Sequence, residues 1–92
     1  MRRVKCNLPV VFWQEGKKII AYTPALDLST CGKDFDQAKK RFIEAVGIFF
    51  EETKNLEKVL LECGWTKSTP ASWTPPTYIG EMQEQVSIPL PA

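Results

Sequence analysis

The sequence predicts a two-layer α+β domain: a three-stranded antiparallel sheet packed by one long helix, ordered β-β-β-α-(α)-β, with a C-terminal extended arm. Three observations carry that expectation. Residues 4 to 31 contain three short runs with strand-like composition and alternation, divided by Gly16 and by Pro24. Residues 35 to 53 then repeat apolar side chains at helical spacing. A final alternating stretch follows a loop rich in Pro, Ser and Thr. Three antiparallel strands, a helix across one face and a returning strand make a two-layer α+β domain.

The first strand is expected over residues 4 to 13. Leu8, Val10 and Phe12 fall on one face, Val11 and Trp13 on the other. Pro9 cannot donate to a ladder, which points to an edge or a bulge. "QEGKK" reads as a hairpin turn, with Gly16 free to take positive φ. "IIAYT" is a second strand, rich in β-branched and aromatic residues, ended by Pro24. "LDLSTC" is a third, with Leu26 and Leu28 on one face and Asp27 and Ser29 on the other.

Gly32 breaks that strand and Asp34 stands at an N-cap position, with Gln37 three residues on. That spacing is a capping box, in which the carboxylate accepts from first-turn amides and Gln37 reaches back to the cap amide. The helix is expected from Phe35 to Thr53, with Phe35, Ala38, Phe42, Ala45, Val46, Phe49 and Leu56 as its core stripe. Ile43 and Phe50 widen the stripe, and Ile48 falls among polar residues. Asn55 is placed to cap a second, short helix, "LEKVLLECG", with Gly64 as its left-handed stop. "GWT" begins another extended piece, and "STPASWTPP" reads as a loop. Val86, Ile88 and Leu90 alternate with Gln85, Ser87 and Pro89, a late strand or arm. The expected division is a domain over 1–69 and a Pro-containing loop and arm over 70–92.

With 92 residues the chain supports one domain. A domain of this size buries only about 60–65% of its unfolded surface, so modest stability and a partner are expected. The net charge of +1 gives no basic excess of the kind that marks nucleic-acid binding. Charge is nevertheless uneven: residues 1 to 43 hold nine Lys and Arg against four acids, and the rest holds three Lys against seven Glu. Cys6, Cys31 and Cys63 are far apart and odd in number, which argues for a reducing compartment and against a disulfide framework or zinc site. With no signal-peptide pattern and no long apolar run, a cytoplasmic protein is expected.

Chemistry is scarce. The sequence has no His, so a Ser-His or Cys-His pair is impossible. It has no phosphate-binding glycine motif. Lys33 could meet an anion, but Asp34 and Asp36 beside it repel phosphate. Two-metal nuclease chemistry needs carboxylates on the first strand, and "VKCNLPVVFW" has none. No catalytic residue, metal ligand or cofactor is therefore expected. Trp13, Trp73, Tyr78, Val86 and Ile88 are the candidate partner-binding residues, as aromatic or apolar side chains in edge or tail positions. The competing reading has Trp13 covering the open face of the sheet and Trp73 pinning the loop.

The runs "VVFWQEG", "IAYTPALDLSTCG", "KDFDQAKKRFIEAVGIFFEE" and "NLEKVLLECGW", within about residues 8 to 65, resemble the N-terminal domain of the HicB-like antitoxins. In that family a hairpin leads to a proline and a leucine, then a short polar strand, a glycine, and a helix opening with a Thr-x-x-Glu-Ala cap. Asp34 and Gln37-Ala38 match the cap, with Asp for Thr and Gln for Glu. The resemblance implies a partial ribonuclease H-like fold without nuclease activity, and a partner: a small HicA-like, mRNA-cleaving toxin that the domain masks. A homo-oligomer, a dimer or higher, is also expected, and the exposed sheet edge or tail strand could pair with its own copy or with the toxin. Many such antitoxins carry a C-terminal DNA-binding domain. Here only a proline-interrupted tail follows Trp65, so DNA binding is not expected. A stand-alone regulatory domain and a divergent metal-dependent nuclease are the alternatives.

Overall fold

The computed structural model describes residues 5–70 and 72–91. The elements are β1 (Val11–Glu15), β2 (Lys18–Thr23), β3 (Leu28–Gly32), α1 (Phe35–Glu52), α2 (Leu56–Glu62), β4 (Thr66–Thr69) and β5 (Ser72–Thr74). Strands β1 to β3 form an antiparallel sheet in the order β1-β2-β3, and β4 and β5 form a separate two-stranded sheet. The class is α+β, as expected, but the returning strand does not rejoin the main sheet. It closes its own hairpin, and the segment expected as a loop contains β5.

The ladder between β1 and β2 runs from Val11↔Tyr22 to Glu15↔Lys18, so only Gly16 and Lys17 turn the chain, with Gly16 at φ 58°. The first strand starts later than the alternation suggested. The missing Pro9 amide stops the ladder, and residues 5–10 approach it as unpaired chain. The expected start at Val4 lies outside the described residues. Strand β3 begins at Leu28, two residues late, because Asp27 takes a left-handed φ of 50°. The Tyr22 hydroxyl donates to Asp27 Oδ1 at 2.9 Å across that turn. Leu26 is still 3% exposed, buried from the turn itself.

At the corner, Gly32 is the last residue of β3 and pairs with Ile19. It is required by close approach, not as a break: a Cβ there would lie 2.5 Å from the Ala38 amide nitrogen. Asp34 caps α1, its Oδ1 accepting from the Gln37 amide at 2.8 Å. The reciprocal bond differs from the expected box. Gln37 Oε1 accepts from the Lys33 amide at 2.8 Å, one residue before the cap. Helix α1 ends at Glu52, with the Thr53 amide donating to the Phe49 carbonyl at 3.1 Å.

Asn55 precedes α2 in the left-handed region, at φ 56°, and makes no side-chain cap bond. Its role is conformational, since Asn tolerates that region better than most residues. The other end of α2 is a Schellman motif. The Trp65 amide donates to the Leu60 carbonyl at 3.0 Å and the Gly64 amide to the Leu61 carbonyl at 3.1 Å. Gly64 supplies the positive φ of 92°.

Two apolar clusters form the core. Ala21, Ala38 and Phe42 sit between sheet and α1, with Val10, Phe12 and Ile19 beside them. Ala25, Leu26, Leu60 and Trp65 sit between the β2–β3 turn and α2, joined by Leu56, Phe50 and Trp73. Val46 alone touches both clusters among the described residues. The Trp65 indole N–H donates to the Ala25 carbonyl at 2.7 Å, satisfying a buried pair across 40 residues of chain. Residues 77–91 are exposed and in no strand, so the alternating tail is an arm. The radius of gyration is 15.9 Å, against roughly 12 Å for a compact chain of this length.

Candidate functional site

Strand alternation sorts the sheet residues. Phe12, Ile19 and Ala21 face α1, so Val11, Trp13, Ile20, Tyr22 and Cys31 project from the opposite face. The register sets Trp13, Ile20 and Cys31 in one row and Val11, Tyr22 and Ser29 in the next. Trp13 is 40% exposed, its ring 6.1 Å from that of Tyr22. The Trp13 indole N–H donates to Glu15 Oε1 at 2.9 Å. Both rings are thus held at their polar ends, by Glu15 and Asp27, with apolar surface left to the outside. The hydrogen bond to the Asp27 carboxylate, then desolvation and its charge, raise the Tyr22 hydroxyl above its usual pKa of 10.0.

A second feature lies on the helix side. Helix α1 packs against β2 and β3 and leaves the underside of β1 uncovered at its flank. The result is an apolar groove of about 330 Å³ between Leu8, Val10 and Phe12 on one wall and Phe35, Lys39 and Ile43 on the other. Phe35 stacks on Phe12 with centroids 4.4 Å apart yet remains 53% exposed, and Ile43 is 62% exposed. These two were expected in or beside the buried stripe. Helix α1 lies over β3 and β2, so its flank toward β1 stays open. Ile48, on the polar side, is exposed as its position suggested.

A larger, open hollow of about 570 Å³ runs along α2 among Asn55, Glu57, Lys58, Leu61 and Glu62. Its charges are mixed and belong to one solvated helix face. Among the described residues no group of three or more Cys, Asp or Glu is gathered as metal ligands would be. Among them, too, no helix is long and apolar enough to cross a membrane.

The five sequence-derived candidates lie on three separate parts of the molecule. Trp13 is on the open sheet face. Trp73 is in β5, half-buried against the second core cluster, with Lys67 Nζ 5.6 Å from its ring centroid. Tyr78 is exposed, its hydroxyl donating to Glu81 Oε2 at 3.3 Å. Val86 and Ile88 are exposed on the arm. Sequence reasoning missed the groove and its residues Phe35 and Ile43. The signal was the placement of Phe35 in the first turn of the helix and of Ile43 at the side of the stripe. No protein-family model, curated protein or solved structure matches the chain.

Proposed function

We propose that this chain is a HicB-like antitoxin domain with a partial ribonuclease H-like fold. It acts in the cytoplasm by binding and masking a small HicA-like ribonuclease and has no catalysis of its own. The observation that carries the reading is the open sheet face, where Trp13 and Tyr22 present apolar surface that no second layer of the described chain covers. The β-β-β-α order and the Asp34 cap after Gly32 support it through the resemblance of the sequence. Aromatic side chains anchored at one end lose little freedom on docking and are frequent centres of binding energy.

The test is co-expression with the tagged product of a small open reading frame adjacent to the gene. The expected result is a complex, by size-exclusion with light scattering, in which that product no longer cleaves RNA. Trp13→Ala is expected to weaken the complex by a factor of about 30 or more, the loss typical of a hot spot. Its melting temperature should stay near that of the parent chain. RNA cleavage by the purified chain with Mg²⁺ or Mn²⁺ would instead establish the divergent nuclease. A chain that captures no such product would be a stand-alone regulatory domain.

A further inference from the structure

The arm and the groove carry complementary chemistry. Val86, Ile88 and Leu90 share one parity, and an extended chain sets all three on one face. Pro89 and Pro91 share the other parity. In a strand, the N–H and C=O of each residue point to the same lateral side, and neighbouring residues point to opposite sides. One edge of this segment therefore keeps its donors at residues 86, 88 and 90, while the other loses them at 89 and 91. Such a segment can pair on one side only, as an outermost strand.

The sheet offers one edge to receive it. On β3, the Arg41 guanidinium donates to the Cys31 carbonyl at 3.1 Å, blocking the outer side of that strand. No backbone hydrogen bond among the described residues occupies the outer side of β1. A strand added there would continue the β1 wall of the groove. Its inward side chains would enter the groove beside Phe35 and Ile43. Both conditions, donors toward β1 and apolar side chains toward α1, are met together in one of the two strand directions.

Charge favours the same contact. Lys39 forms part of the groove wall. Residues 68 to 92 contain no Lys or Arg and carry Glu81 and Glu84 just before the apolar segment. The arm does not serve its own body. Residues 77–91 are exposed, and the molecule is 52 Å long against 29 and 24 Å in the other directions.

We propose that residues 84–90 of one copy add as a fourth strand to the free edge of β1 in a second copy, with Val86, Ile88 and Leu90 filling its groove. Exchange of two arms gives a closed dimer with a two-fold axis. This does not depend on the antitoxin reading, and its test uses the chain alone.

The experiment is light scattering and amide hydrogen exchange on the full chain, alone and as the Ile88→Asp and Ile43→Glu variants. Both substitutions fall on exposed side chains, so both variants should fold, checked by circular dichroism. The parent is expected at twice 10.5 kDa, each variant is expected to dimerise at least about tenfold more weakly, and Val11–Glu15 amides should lose protection in both. A parent that stays monomeric at high concentration overturns the proposal, whether its arm is free or folded onto its own groove. So does a dimer that both variants leave intact, which would place the interface elsewhere.

Discussion

A β-carbon on residue 32 would stand 2.5 Å from the Ala38 nitrogen and 2.9 Å from the Ala38 Cα. Both atoms belong to the helix backbone and cannot rotate away. Gly32→Ala is therefore expected to lower stability by about 1–3 kcal/mol, the usual range for overpacking, as read by urea denaturation. An unchanged midpoint would mean that α1 can shift off the sheet freely. The sequence marked residue 32 as a break, but the close packing that requires glycine is a property of two elements meeting. Asp34 was legible because its partner amide is three residues away; the Trp65 bond to Ala25 spans 40 residues and left no local sign. Tyr22 gives a titratable check of the β2–β3 turn. Its folded pKa is raised above 10.0, so its contribution to stability is complete below that pH and is lost as pH rises through the folded value. Asp27→Asn, in a Tyr78→Phe background, should return the tyrosinate absorbance midpoint toward 10.0.

At the scale of elements, short-range pattern served well where an element is held by its own periodicity. The three sheet strands and both helices all appear, with β1 starting only after Pro9 and β3 only after the left-handed Asp27. Strand β5 did not announce itself, since three residues between prolines hold no period. It exists because Trp73 pairs with Lys67 and packs on the core. The helix stripe gave the right centre and the wrong extent: Ala38 and Phe42 are buried, while Phe35 and Ile43 stay exposed because α1 lies over β3 and β2 and leaves its flank toward β1 open. Phe42 is 6% exposed. Phe42→Ala should therefore cost about 3–5 kcal/mol, a large share of the roughly 5–15 kcal/mol of a typical domain. Thermal melting by circular dichroism measures it.

The whole molecule is a small body with a long exposed arm. At concentrations low enough to keep the chain monomeric, brief digestion with a Glu-specific protease should cut first after Glu81 and Glu84, leaving a resistant core that ends near residue 81. Those two sites lie outside every helix and strand, whereas Glu15, Glu44, Glu51, Glu52, Glu57 and Glu62 are within elements that must open before cleavage. Early cuts inside α1 would mean that the body itself is loose. The arm's composition was plain in the sequence. The edge position of β1 was signalled by Pro9; the groove was not, because it comes from the way the helix sits across the strands.

The join between the two core clusters sets how the domain comes apart. Val46 is the apolar side chain common to both among the described residues, so cooperativity between the two clusters passes through Val46 and the α1 backbone on one side and through the β2–β3 turn on the other. Val46→Ala should loosen that coupling more than it lowers total stability. Denaturation followed at Trp65 and by far-ultraviolet dichroism, coincident in the parent, should separate in the variant, with the α2 end melting first. A domain so joined has two folding units sharing one helix.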